Sequence, residues 1–514
     1  MTTTPDPAAQ ASPDDRRLHP WSWLFVLLGS LRQFLLPLLV LLVFGGRRDE
    51  GYQLAAAGVA VLVLALVSVW RYFTYRFRIE GDSLVIRSGL LERSLRQVPF
   101  SRIHNVELRQ TLLHRLFDVA EVKLESAGGT RPEAQMRVLQ MGDALALERL
   151  IRHRGRGTES AAAAELDAHG ASAPAEPGRT LLALPLPELV RLGLISNRGM
   201  VVIGAAFALS WQVLPDNAFR QAIDLFREQV GGYAGHLDGH RAATALAAIG
   251  ALLLVLAVVR LFSVLLAIVR YHGFELREHG RRLTLERGLL SRVRSSVSRR
   301  RIQAWTLREG LLHRLFARRS LSIDTAGAQD GDGQGQAREA PELAPIATPA
   351  RCDALLQHLL DGATWPPQDW QPLHPRAWMR LLLGDAVFAV VLAAGLGWYF
   401  GAWGLLGLLW LPWGWLLAVR HARFAGYHVD ARLVAVREGW WTRHWRFAEI
   451  DKLQTLQLRQ SPLDRRFGMA SLWLDTAGAG AMAPPLRMRY LPEAQARALV
   501  AALGGEVARR RLRW

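Results

Sequence analysis

Arg109, Arg308 and Arg459 occupy one position in three related stretches of the chain, and Arg102, Arg301 and Lys452 occupy another, seven residues earlier. Arg299 and Arg300 extend the second set in the middle stretch. Cations so placed suit the binding of phosphate or carboxylate groups, which a guanidinium can grip through two oxygens at once. Near an anionic leaflet each adds roughly 1 kcal/mol of attraction. A structural reading competes with this one. In it Arg109, Arg308 and Arg459 pair with the acids Glu125, Asp324 and Asp475 on another strand, and for this set the pairing is favoured. For Arg102, Arg301 and Lys452 the alternative is a solvated strand edge that charge protects from aggregation, and the two readings weigh equally.

No catalytic constellation accompanies these cations. The chain has no phosphate-cradling glycine loop, no nucleophile elbow and no HExxH. His272 and His279 stand seven apart across a hairpin signal, which is not a metal-ligand spacing. Cys352 is the only cysteine, so an intramolecular disulfide and a multi-cysteine zinc site are both excluded; it reads as part of a helix face. No enzyme activity, cofactor or metal is expected. His114 and His313 share a position that Asp464 fills in the third stretch, and they read as turn residues. Arg115, Arg314 and Arg465 read as part of the turn before a strand, and Phe117, Phe316 and Phe467 as core.

These residues recur because the chain is a threefold repeat. Gly89 to Gly128, Gly288 to Gly327 and Gly439 to Gly478 align without a gap, with RSGLLERS, ERGLLSRV and REGWWTRH at their starts. Within each block the apolar period is two, the signature of strands. Phe77 and Ile79, then Leu84 and Ile86, flank the turn Glu80-Gly81-Asp82-Ser83, a hairpin signal. Val106 and Leu108 share a strand face, as do Trp305 and Leu307, and Leu456 and Leu458. A short segment of helical period closes each block. Gly155 to Arg179 and Gln329 to Pro349, rich in Ala, Gly and Pro, read as linkers with no core to bury.

A helix pair precedes each block. Apolar runs at Trp21–Phe44, Leu54–Trp70, Gly199–Leu214, Ala243–Val269, Leu381–Phe400 and Trp403–Val419 approach the roughly 20 residues that cross a bilayer, giving six expected spans. Arg32, Arg260 and Asp385 interrupt them, and an intramembrane charge is a functional candidate by default. No cleavable signal peptide is expected at the polar N-terminus. The formal charge of +18 is concentrated in the blocks. Residues 71–156 hold 16 basic against 10 acidic residues, 270–328 hold 14 against 5, and 420–479 hold 10 against 6. By the positive-inside rule the blocks and both termini face the cytoplasm of a bacterial plasma membrane.

Paired membrane helices, then G-L-L, an R-I-x-x-V-like strand, L-x-R-x-F and a terminal A-G together resemble the bacterial membrane-flanked domains with a pleckstrin-homology-like fold. Three such units in about 500 residues resemble the YdbT type of that family. Ile103, Ile302 and Leu453 stand where the strand begins; Trp440-Trp441 replace L-L in the third copy. The resemblance implies a seven-strand barrel or sandwich capped by a helix, in modules similar to ones that bind lipids or proteins, and it is compatible with a role in envelope maintenance. It implies no established ligand.

The expected architecture is therefore an α+β membrane protein. A tail covers residues 1–20, transmembrane hairpins cover 21–70, 181–270 and 363–420, and PH-like domains cover 71–154, 271–362 and 421–514. A linker covers 155–180, and a flexible insertion 329–349. The leading functional expectation is a membrane scaffold whose modules bind lipid head groups, one another or partner proteins. A transporter or channel component is the alternative. Nucleic acid is not expected, since topology alone accounts for the spread-out arginine charge.

Overall fold

The computed structural model describes residues 16–17, 20–25, 27–28, 58–59, 62–63, 65–67, 70, 74–88, 94–100, 103–126, 134–154, 178–201, 203–204, 240–325, 341–360, 362–477 and 484–509. The first repeat contributes β1 (Arg16–Arg17), β2 (Arg76–Glu80), β3 (Ser83–Ser88), β4 (Ser94–Pro99), β5 (Ile103–Thr111), β6 (Val119–Ser126) and β7 (Ala134–Gln140). The second contributes β8 (Arg179–Ala183), β9 (Glu275–His279), β10 (Arg282–Arg287), β11 (Ser291–Ser298), β12 (Ile302–Glu309), β13 (Arg319–Thr325) and β14 (Glu342–Ala347). The third contributes β15 (Gln371–Pro372), β16 (Gly426–Val429), β17 (Leu433–Glu438), β18 (Arg443–Glu449), β19 (Leu453–Arg459), β20 (Met469–Thr476) and β21 (Leu486–Pro492). Helices Met141–Arg154, Pro349–Leu359 and Glu493–Arg509 close the three units.

The expected seven strands and closing helix are present in each unit, but the sheets do not respect unit boundaries. β1-β2-β3-β4 form one sheet and β19-β20-β21 another. Between them, β7-β6-β5-β11-β10-β9-β8 and β14-β13-β12-β18-β17-β16-β15 are continuous seven-stranded sheets. The second half of each unit thus pairs edge to edge with the first half of the next, through β5·β11 and β12·β18. Antiparallel pairing there satisfies two rows of backbone groups that would otherwise be open edges.

Local chemistry fixes the turns. Gly288 and Gly439, the glycines that open the repeat register, have φ of +112° and +90°. A Cβ at either would lie 2.0 Å from the carbonyl oxygen of Ser291 or Thr442, so only glycine fits these turns. Helix Pro349–Leu359 is capped by the Thr348 side chain, which accepts from the Arg351 amide, and starts on proline. It buries Cys352, Leu355, Leu356 and Leu359, the i, i+3, i+4, i+7 face, against Ile323, Leu343 and Ile346. Cys352 is accordingly a packing residue. Burial, then the neighbouring Asp353 carboxylate, push its thiol up to about 12, out of nucleophilic range.

Two boundaries are corrected. Glu342–Ala347 is a core strand with Leu343, Ala344 and Ile346 buried, so the part of 329–349 that composition assigns to a flexible insertion is structured there. Alanine and proline masked its alternation. Nor does the second membrane hairpin begin at 181. Arg179–Ala183 pairs with β9, and helix Leu186–Ile195 turns Leu189, Leu192 and Ile195 into the core. In each unit a strand before the apolar runs (β1, β8, β15) joins the first strand after them (β2, β9, β16).

Among the described residues, two helical stretches are long and apolar enough to cross a membrane, Ile249–Tyr271 and Ala377–Phe424. The second folds back on itself at Gly401, φ +60°. Helix Ala377–Phe400, about 36 Å long at 1.5 Å per residue, meets the 3₁₀ segment Gly401–Leu409 and helix Trp410–Phe424. The described residues of Leu54–Trp70 are helical, whereas Arg32 and most of the runs Trp21–Phe44 and Gly199–Leu214 lie outside the described residues. Arg260 is explained by a partner. Its guanidinium donates to the Ser196 carbonyl at 3.2 Å and to Asn197 Oδ1 at 3.1 Å, just past the end of helix Leu186–Ile195, where cations are favoured. Asp385 Oδ1 accepts from the Trp410 indole across the hairpin at 3.4 Å.

Candidate anion-binding groove

The cations that share a sequence position do not share a role. Arg102 lies outside the described residues. Arg301 is half-buried, and burial lowers its guanidinium to about 10, still charged at neutral pH. Lys452 is buried and donates to the Arg300 carbonyl at 2.6 Å, tying the third unit to the second. Arg299 is a clamp: it donates to Glu278 Oε1 at 3.0 Å and to the carbonyls of His358 and Leu359 at 3.2 and 2.9 Å. It thereby fastens the last turn of helix Pro349–Leu359, whose carbonyls have no intrahelical partner. Arg300 alone of this trio is exposed.

The favoured pairing of Arg109, Arg308 and Arg459 with Glu125, Asp324 and Asp475 is corrected by the strand register. Arg109 lies opposite Glu121, Arg308 opposite Ser320 and Arg459 opposite Ser471. The acids lie opposite Asn105, Ala304 and Thr455, four residues back along the same strands. At about 3.4 Å per residue that separation exceeds the reach of an ion pair. Arg109 instead donates to Ser291 Oγ at 3.2 Å across the β5·β11 junction, and Arg308 is exposed opposite His444 across β12·β18.

Arg115 and Arg314, read from sequence as turn residues, also act across junctions. Each ends a short helix, Leu112–Leu116 or Leu311–Leu315. Arg115 donates to the Leu289 carbonyl at 3.3 Å, and Arg314 to those of Trp440 and Trp441, both at 3.0 Å. Phe117 packs on Trp21 and Phe25, with ring centroids 5.0 and 6.1 Å away, so it seats the start of the first apolar run on its module.

Arg459 opens onto a different environment, a groove of about 540 Å³ on the third unit. Arg380, Arg459, Arg487 and Arg489 line it with Trp473, Tyr490, Ser461, Ser471 and Asp464. Arg459 and Arg487 lie 4.5 and 5.2 Å from the Trp473 ring centroid, a cation–π arrangement that holds both guanidinia without neutralising them. Arg487 and Arg489 sit two apart on β21 beside buried Leu486 and Met488, so strand alternation puts them on one outward face. That LRMRY alternation was visible in the sequence and signals the site; nothing in the sequence brings Arg380 to it.

The acids nearby are already engaged. Asp464 receives Arg380 Nε at 2.7 Å and forms a capping box with Ser461. Burial would raise its carboxyl, but the Ser461 and Arg380 bonds hold it below the ordinary value. Glu438 lies 3.9 Å from Arg487 and 3.6 Å from Arg489, and burial raises its carboxyl although Arg489 opposes the shift. A carboxylate so disfavoured is a weak competitor for those guanidinia. Arg380 stands in the first turn of Ala377–Phe400, which sets the groove at the membrane end of the module. Cationic forks, aromatic faces and serine hydroxyls together can grip a phosphate-bearing group; nucleophile and base are not paired there.

Comparison with known proteins agrees with the repeat. The bacterial PH domain family matches residues 25–155, 232–360 and 381–507. The UPF0699 transmembrane protein YdbT of Bacillus subtilis (strain 168) is 27% identical over 413 residues, covering 78% of this chain and 80% of that protein. No solved structure matches.

Proposed function

The chain belongs to the bacterial PH domain family, as a transmembrane protein with three such domains, and from that premise we propose a non-enzymatic membrane scaffold whose third module holds an anionic lipid head group. The observation that carries this reading is the convergence of Arg380, Arg459, Arg487 and Arg489 on one groove beside the start of a membrane helix. A phosphodiester entering from the leaflet meets guanidinium donors and leaves its acyl chains against Ala377–Phe400. The modules face the cytoplasm in this proposal, because positive charge concentrates in them and cytoplasmic leaflets are anionic. The helix pairs act as tethers that keep three modules at one surface, so a weak site gains from high effective concentration.

The test uses the full chain extracted in mild detergent, with native mass spectrometry counting retained lipid after exposure to phosphatidylglycerol or phosphatidylcholine. Preferential retention of phosphatidylglycerol, weakened about tenfold, or 1.4 kcal/mol, in the Arg459→Gln, Arg487→Gln double variant, supports the reading. Equal retention of both lipids, or an unchanged preference in a variant with unaltered thermal unfolding, overturns it.

A further inference from the structure

The two internal junctions use one interface twice, and among the described residues each half of that interface recurs once without a partner strand, on β4 and on β19. Val106, Trp305 and Leu456 are equivalent in the repeat, as are Gln97, Ser296 and Phe447. β5·β11 pairs Val106 with Ser296, and β12·β18 pairs Trp305 with Phe447, so the register is the same at both junctions. Among the described residues β4 ends the first sheet and β19 ends the last, each with one edge unpaired.

We propose that β19 of one copy pairs with β4 of a second copy of this chain, in the register of the internal junctions. That register sets Leu456 opposite Gln97, Gln457 opposite Arg96 and Leu458 opposite Leu95. Three observations favour a second copy as the occupant. Leu458 is 37% exposed, whereas its equivalents Leu108 and Leu307, on strands that pair with the next module, are 3% and 0% exposed; Leu95, which would lie opposite it, is 63% exposed.

Charge is complementary as well. At the second junction Arg446 of β18 donates to Asp324 Oδ2 at 2.5 Å and to Thr306 Oγ1 at 2.8 Å, with both charged side chains buried. Arg446 corresponds to Arg96, and Asp324 to Asp475. Both are exposed, Arg96 on the open strand β4 and Asp475 on β20 next to the open strand β19, and neither makes an ion pair among the described residues. Finally, Arg465 repeats Arg115 and Arg314, which grip the next module's turn, and it stands in the last of the three described units. The contact is heterologous, so it builds rings or filaments rather than closed pairs.

Disulfide trapping in isolated membranes tests this. Two differently tagged full-length chains, both Cys352→Ser, carry Leu95→Cys and Leu458→Cys respectively. Facing residues of an antiparallel pair, with Cα atoms about 4.5 to 5.5 Å apart, are within disulfide range. Oxidation of the co-expressed pair should give a band of twice the chain mass bearing both tags. Arg96→Asp or Asp475→Arg, placed in both chains, should lower the yield about tenfold, or 1.4 kcal/mol, and the two together should restore it. The proposal is overturned by a Leu458→Cys product that forms equally well without Leu95→Cys, by a product of another mass, or by no product at all. Charge variants of equal yield overturn it too.

Discussion

Arg446 and Asp324 form a buried ion pair at 2.5 Å between two different repeats, one on β18 and the other on β13. Each is nearly inaccessible, at 2% and 4% side-chain exposure, and the Thr306 hydroxyl satisfies a further guanidinium donor. The pair spans the strand between them, since Arg446 lies opposite Thr306 and Asp324 is on the next strand beyond. It therefore locks the direction and register of the junction as well as its existence.

Removing one partner leaves an uncompensated charge inside the sheet. Asp324→Ala should destabilise the full chain by about 3 to 5 kcal/mol, the usual cost of breaking a buried pair. The double variant Arg446→Met, Asp324→Leu should recover most of that loss, because no buried charge remains. Thermal unfolding of the detergent-solubilised protein distinguishes them. Equal losses in the single and double variants would contradict a charge-based account.

The junction also carries a pH dependence through His444, which sits opposite Arg308 and 3.7 Å from Glu438. Burial, reinforced by Arg308, His421, Arg489 and Arg446, lowers its imidazole to about 4 from 6.5. Between those values the unfolded chain holds a proton that the folded chain rejects, so stability rises with pH. The contribution is complete above pH 6.5 and is lost as pH falls toward 4, on the order of 2 to 3 kcal/mol in all. Glu438, raised by burial, acts in the opposite sense and offsets part of it. His444→Gln should flatten the fall in melting temperature between pH 6.5 and 4.5. Parallel curves for wild type and variant would refute this assignment.

The repeat, the strands, the closing helices and the glycine turns were legible because each rests on local periodicity or on a residue type that one backbone conformation demands. Partnerships were not. Sequence puts Arg308 and Asp324 in one block and invites pairing within it, whereas the hydrogen-bonded register separates them and brings Arg446 from 122 residues away. Arg299, Arg300 and Arg301 look like one basic patch, yet a 3₁₀ turn points them differently, and Arg299 closes a helix end. The same edge pairing means that a block cut at its sequence boundaries, such as 271–362, would lose β8 and both neighbouring strands β5 and β18. Arg459 is exposed, and its groove depends on Arg380 from a helix that sequence reads only as membrane-spanning.

Glycine spacing in the third hairpin makes a prediction with its own control. Gly404 and Gly407 face Gly397 and Ala393 on the antiparallel helix so closely that a Cβ on Gly404 would lie 2.2 Å from the Gly397 amide nitrogen, and one on Gly407 would lie 2.7 Å from that of Ala393. These are backbone atoms, which cannot swing aside as a flexible side chain can. Small residues let membrane helices approach in this way, where packing rather than the hydrophobic effect holds them together. Gly395 lies in the same hairpin, but a Cβ there meets nothing within 4 Å. Gly404→Val should therefore separate the two arms and lower the melting temperature of the solubilised chain. Gly395→Val, equal in added volume, should leave it nearly unchanged. If both variants melt alike, close glycine packing is not what holds Ala377–Phe400 against Gly401–Leu409.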